Sequence, residues 1–154
     1  MAFYQLNQTQ KIPDSIVGVW DFISSPVNLQ EITPSYMGFI ITSKNANEKM
    51  YAGMIISYKV RPLAGINLNW VTEITQLKDK EYFVDEQRIG PYKMWHHQHR
   101  IEAIEGGVLM TDIVSYQPPM GILGALANAL FIKQKLKSIF NYRTIALEKR
   151  FGKF

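Results

Sequence analysis

A chain of 154 residues, 47% apolar, 12% aromatic and 19% charged, can bury enough surface to fold without disulfides or a structural metal, so one domain over residues 1–154 is expected. The absence of cysteine excludes disulfides, thiolate metal sites and cysteine nucleophiles. A net charge of +4 is too small and too dispersed for a nucleic-acid footprint: Lys133, Lys135 and Lys137 read as the solvated face of a helix, and Lys149, Arg150 and Lys153 as a basic end.

Residues 1–6 lack the charged and apolar regions of a signal peptide, and no segment approaches the ~20 apolar residues of a membrane span, so the cytoplasm is the expected compartment. Residues 2–12 read as a first strand that stops at Pro13. Asp14 or Ser15 then caps a short helix with Ile16, Val19, Trp20 and Ile23 on one side, ended by Pro26. A second helical turn over 27–32 closes at Thr33-Pro34, because a residue before proline is pushed out of the helical region.

Strands follow. Over 50–61, Ala52, Met54, Ile56, Tyr58 and Val60 share one face against Ser57, Lys59 and Arg61. Over 66–74, Ile66, Leu68, Trp70 and Ile74 oppose Asn67, Asn69 and Glu73, the pattern of an antiparallel sheet covered on one side. Three more strands, 81–88, 92–104 and 108–116, are separated by the turn signals Gly90-Pro91 and Gly106-Gly107. After Pro118-Pro119-Met120-Gly121 the period changes to 3.6 and a helix of about 25 residues or more begins. At 100° per residue, Ile122, Ala125, Ala129, Ile132, Leu136, Ile139, Phe140, Ala146 and Leu147 form one stripe facing the sheet, with Arg143 inside it. There is no internal repeat or linker.

Strand parity gathers a polar group on the covered side. In 92–104, Trp95, His97, His99 and Ile101 lie opposite Arg100 and Glu102. A two-residue turn at Gly106-Gly107 pairs odd positions before it with even positions after it, which adds Met110, Asp112, Val114 and Tyr116. Across Gly90-Pro91, the parity that keeps the sheet consistent adds Phe83, Asp85 and Gln87. The enclosed polar set is therefore Asp85, Gln87, His97, His99 and Asp112, with Arg143 facing them from the helix.

The strings Phe83-Val-Asp85-Glu-Gln87, Gly90-Pro91-Tyr92, Trp95-His-His97-Gln-His99 and Gly107-Val-Leu-Met110-Thr-Asp112 resemble a bacterial subgroup of the START-like (SRPBCC) superfamily. So do Tyr116-Gln-Pro-Pro119-Met-Gly121 and Ile139-Phe-Asn-Tyr142-Arg143, and the likeness runs over nearly the whole chain; Val108 stands where the subgroup more often has threonine. The resemblance implies an α+β helix-grip fold, a curved antiparallel sheet of about seven strands around a long C-terminal helix, with two short helices after the first strand. It implies an apolar cavity and attaches no reaction to it, the subgroup being known by fold and only sometimes described as cyclases or cell-division inhibitors.

Buried carboxylates and an arginine need partners. Three uses of the cluster follow. It can be a structural network in which Arg143 bridges to Asp85 or Asp112 and the histidines act as neutral donors and acceptors. It can orient the polar end of an apolar ligand held by Met54, Tyr58, Trp70, Trp95, Met110, Tyr116 and Ile132, together with Asp85, Gln87, His97, His99, Asp112 and Arg143. Or it can catalyse a cyclase or dehydratase reaction on an apolar carbonyl compound, His97 or His99 being a base oriented by Asp85 or Asp112. A metal shared by His97, His99 and Asp85 needs correctly spaced ligands and a second shell that the sequence does not promise, so no metal and no cofactor is expected.

The expected mouth is Pro118, Pro119, Met120 and Gly121 with Ile122 and Leu123, facing a loop at 44–48. Leu123, Leu126, Leu130 and Phe131 add apolar character beyond the stripe, which suits a membrane surface or a homodimer contact. The expected function is binding, transport or sequestration of a small hydrophobic ligand such as a lipid, isoprenoid or polyketide. The alternatives are the His-Asp enzyme and a protein-interaction domain.

Overall fold

The computed structural model describes residues 3–62 and 65–154. Its strands are β1 (Tyr4–Ile12), β2 (Ile40–Ile41), β3 (Ile55–Val60), β4 (Leu68–Lys78), β5 (Tyr82–Ile89), β6 (Met94–Ile104) and β7 (Gly107–Gln117). They form one sheet in the order β1-β7-β6-β5-β4-β3-β2, every neighbouring pair antiparallel. Sequential hairpins account for all neighbours except β1 and β7, which the two ends of the sheet-forming chain bring together.

β1 begins at Tyr4, and the expected start at Ala2 lies outside the described residues. Helix α1 (Ile16–Ile23) is capped by Ser15, whose hydroxyl accepts from the Gly18 N–H at 3.1 Å, and it buries Val19, Trp20, Phe22 and Ile23. It stops before Pro26. That proline instead opens a 3₁₀ turn (Pro26–Gln30), where its missing N–H is not needed. A further 3₁₀ turn (Ser35–Met37) ends at Gly38, whose φ of +53° suits glycine.

Two expected strands are trimmed. Residues 50–54 are irregular, with Gly53 at φ +95°, and Ala52 is exposed; Gly53 and Met54 bond to the Ile74 backbone, and the regular strand starts at Ile55. Ile66 precedes β4 and is 61% exposed, so it is not part of the buried face. Within β4, Trp70, Thr72 and Ile74 point inward.

The long helix comes in three parts: α2 (Gly121–Ala127), a single π turn (Asn128–Ile132) and α3 (Lys133–Phe151). In the π turn the Lys133 N–H reaches the Asn128 carbonyl, five residues back. One extra residue in a turn rotates everything before it by about 100° relative to α3. The expected stripe therefore holds only in α3, which buries Leu136, Phe140, Arg143 and Leu147. In α2 the predicted Ile122 is 89% exposed and Ala129 is exposed, while Gly124 and Asn128 turn inward instead.

α3 is gripped from the sheet edge as well. On β1 the inward positions 8 and 10 are glutamines. Gln8 Nε2 donates to Thr144 Oγ1 at 2.6 Å and to the Phe140 carbonyl at 3.1 Å, and Gln10 Nε2 donates to the Thr144 carbonyl at 3.0 Å. Apolar side chains gather in two clusters. One joins α1 to Ile12, Phe83, Ile101, Val108 and Leu147; the other joins Val114, Tyr116, Leu136 and Phe140, with Tyr4, Leu6 and Trp95 against them.

Gly124 is buried because a Cβ there would collide with the Pro119 carbonyl oxygen, so the helix start packs against the segment leaving β7. Gly124→Ala is expected to destabilise by about 1–3 kcal/mol, as for other overpacked sites, seen as a lower urea midpoint at unchanged slope. An unchanged midpoint would mean that this end of the helix is free to shift.

Candidate functional site

Register brings the polar residues together. β5 and β6 pair Asp85 with His97 and Phe83 with His99, and β6 and β7 pair His99 with Asp112. The β6–β7 hairpin turns at Glu105-Gly106, one residue before the expected turn, since Ile104 pairs with Gly107. Moving a two-residue turn by one position slides the register by two, which leaves every side chain on its face.

Four groups then meet. His97 Nε2 is 2.8 Å from Asp112 Oδ1, and His99 Nδ1 is 3.2 Å from the same oxygen. His99 Nε2 is 2.6 Å from Asp85 Oδ2, and His97 Nδ1 is 3.5 Å from it. Arg143 Nη2, reaching across from α3, lies 3.7 Å from Asp112 Oδ1 and 3.3 Å from His99 Nδ1. Thr72 donates its hydroxyl to Asp85 Oδ1 at 3.4 Å and to the Glu86 carbonyl at 3.2 Å. Arg143 Nε has no partner among the described residues. The histidines stack between aromatic rings of the two apolar clusters: Phe83 on His99 at 4.1 Å, His99 on His97 at 3.7 Å, His97 against Phe140 at 5.4 Å between centroids.

Burial by itself would raise both carboxyls. At Asp112 the Arg143 charge and the hydrogen bonds of His97 and His99 outweigh it and hold the group well below its ordinary value. At Asp85 the His99 hydrogen bond and the charges of His97, His99 and Arg143 do the same less strongly. His97 is pushed down to about 4, first by burial and then by repulsion from His99, despite Asp112. Tyr58 is raised well above its ordinary value by burial and by the Asp85 charge.

The cluster lies on the wall of a cavity of about 440 Å³ between sheet and helix. Asp85, His97, His99 and Arg143 line it, as do the predicted Tyr58, Trp70, Trp95 and Ile132. Five predicted contacts stand back from the wall. Met54 and Met110 are packed in the apolar core. Asp112 sits behind the histidines, and Tyr116 donates its hydroxyl to Asn128 Oδ1 at 2.8 Å. Gln87 braces the β5–β6 turn, bonding the Tyr92 carbonyl at 2.7 Å and the Tyr92 N–H at 3.1 Å. All five face the covered side; parity does not say how deep a side chain lies. Pro118, Pro119, Met120 and Leu123 line one side of the mouth, but Leu29, Ile32, Met37 and Phe39 take the place expected for the loop at 44–48.

Thr72 and Asn128 were not singled out by sequence. Thr72 sits at an even position of β4 alongside Trp70 and Ile74, a readable signal; Asn128 is a lone amide in an apolar helical stretch, whose depth depends on the π turn.

The cluster makes stability acid-sensitive. His97 is neutral when folded and takes a proton more readily when unfolded, so stability falls as pH drops from about 6.5 to 4, by the order of 3 kcal/mol. Asp85 and Asp112, depressed when folded, add a further loss below their ordinary value of 3.8. Denaturation midpoints measured across this range should show a slope between pH 4 and 6.5 that His97→Gln flattens; equal slopes for both proteins would contradict it. Arg143→Ala leaves two buried carboxylates short of a cation and should cost about 3 kcal/mol or more; a melting temperature unchanged within error would show that Arg143 does not hold the helix.

No protein-family model and no curated protein matches the chain. Solved structures do, over nearly its whole length. A Chromobacterium violaceum protein superposes with a TM-score of 0.72 at 10% identity, covering 97% of this chain and 99% of its own. Major latex-like protein 151 of Panax ginseng gives 0.69 at 14% identity, covering 97% of each chain, and Ara h 8.0201 gives 0.59 at 14%, covering 96% of this chain and 99% of its own. Identities this low carry the fold and not the activity. Sheet order, the long helix laid across the sheet and these likenesses agree: the chain has a helix-grip fold, an antiparallel sheet around a long C-terminal helix.

Proposed function

We propose that the protein binds a small hydrophobic ligand in the cavity, with the ligand's polar end at Asp85, His97, His99 and Arg143. The observation that carries this reading is the cavity itself: about 440 Å³, walled mostly by aliphatic and aromatic side chains, with Asp85 and Arg143 gathered around one pair of histidines and Lys135 the other charged residue of its lining. Pockets of roughly 300–1,000 Å³ with a few convergent polar groups are the usual form of ligand sites. The fold family is known for small hydrophobic ligands, which agrees with it. A lipid, an isoprenoid or a polyketide fits this chemistry, and binding, transport or sequestration in the cytoplasm is the corresponding role.

The rim extends the reading. Leu123 and Phe131 are exposed at the cavity lining, Ile122, Leu126 and Leu130 are exposed on the same helical segment, and no acidic residue occurs between Ile113 and Leu147, while Lys133, Lys135 and Lys137 follow directly. An apolar rim backed by lysines suits an anionic lipid surface from which such a ligand is taken.

Catalysis by a His-Asp pair is the weaker reading on chemical grounds. A base is most effective with a pKa near the working pH, and His97 at about 4 is far from neutrality. Each histidine nitrogen also already faces a carboxylate.

Trp70 and Trp95 line the cavity, so ligand entry should quench tryptophan fluorescence. Titration with the neutral dye N-phenyl-1-naphthylamine should show one saturable site. Ala127→Phe, placed on the wall, should weaken it at least tenfold while the circular dichroism spectrum is kept. Equal dye affinity in the filled variant would place the dye elsewhere and remove the reading.

A further inference from the structure

The histidine-carboxylate cluster has an inner and an outer half. Asp85, His97 and His99 each offer one donor atom, the three lying within 4.8 Å of one another. Asp85 Oδ2 is 3.5 Å from His97 Nδ1 and 2.6 Å from His99 Nε2. The far nitrogen of each ring, His97 Nε2 and His99 Nδ1, faces a single Asp112 oxygen at 2.8 and 3.2 Å. Histidines that ligate a metal through one nitrogen are almost always held at the other by a carboxylate or carbonyl; here one carboxylate holds two of them. Arg143 Nη2 lies 3.7 Å from that same oxygen and 3.3 Å from His99 Nδ1, and Thr72 steadies the other oxygen of Asp85.

Charge points the same way. Two carboxyl groups, Asp85 and Asp112, share one guanidinium, Arg143, in this enclosed group; with both ionised and the histidines neutral, the sum is one negative charge. An uncompensated buried charge is strongly unfavourable. A divalent cation between Asp85 and the two rings reverses the excess and leaves one positive charge to meet an oxygen of whatever occupies the cavity. Bonds of about 2.0–2.2 Å need donors roughly 3 Å or slightly more apart, so loading requires His99 and Asp85 to separate by about half an ångström.

We propose that Asp85, His97 and His99 bind a divalent first-row transition metal, of the zinc or iron(II) class, with its open coordination positions toward the cavity. Two imidazoles and one carboxylate with vacant positions are the donor set of open, ligand-accepting sites rather than of closed structural ones. Asp112 is the positioning residue, acting through both rings. The site uses the three residues that the hydrophobic-ligand reading sets at the ligand's polar end, yet either reading can fail alone.

The test uses tag-free full-length protein, stripped with EDTA and titrated with Co²⁺ and Zn²⁺ against a chromophoric chelator. One equivalent should bind, with cobalt d–d absorption. Asp85→Asn, nearly the same shape, and His99→Gln should abolish it; Asp112→Asn should weaken it by about 10- to 100-fold. His96 faces the other side of β6, 2.8 Å from Glu86, so His96→Gln should keep the site. Absence of stoichiometric binding, or loss with His96→Gln and retention in Asp85→Asn, overturns the proposal. Should His99→Gln not fold, imidazole NMR signals of the wild-type protein decide: shifts of His97 and His99 on adding Zn²⁺ support the site, and a response to protons alone refutes it. Dye binding by the stripped protein reads the cavity separately.

Discussion

Two carboxylates inside an apolar interior, Asp85 and Asp112, must each be met by donors from other elements, and the seating of the long helix on the sheet answers that need. Neighbouring strands supply the histidines at the required register. The helix supplies a guanidinium, from the one polar position of its buried stripe. The resulting tie runs from β5 through β6 and β7 to α3, so the helix cannot slide along the sheet without stranding a charge. The glutamines of β1 fix the same helix at the other side by uncharged bonds to Thr144 and Phe140.

The tie also occupies a useful place between the two apolar clusters. The column Phe83, His99, His97, Phe140 passes from one to the other, stacked at one end and edge-on at the other, so the polar groups sit among aromatic rings at the cavity wall. In such surroundings hydrogen bonds and charges act with little screening. That suits either anchoring a helix or gripping the polar end of an otherwise greasy molecule, and the same side chains serve both.

Much of this was legible because a strand has an exact period of two. Asp85, His97, His99 and Asp112 could be put on one face from alternation alone, and misplacing the Gly106 turn by a residue did no harm, since the slip it produces is even. Depth was not legible: Met54 and Met110 share the inward face with Tyr58 and Trp95 yet pack behind the cavity wall. Nor were the wall residues from 29 to 39, which lie in 3₁₀ turns and connecting chain with no period to read. The helix was read correctly over α3 and wrongly over α2, because a periodic argument assumes constant pitch and one π turn breaks it.

That turn divides the helix into two parts with separate duties. Beyond it, α3 is locked in phase by Arg143, Thr144 and Leu147; before it, α2 presents its side chains to the mouth under no obligation to match that phase. Substitutions at Leu123 and Ala127, which line the cavity, can therefore reshape the entrance while the anchored half keeps its seat. What the cavity admits and what seats the helix are thus set at opposite ends of one helix, with the boundary between the two at Asn128.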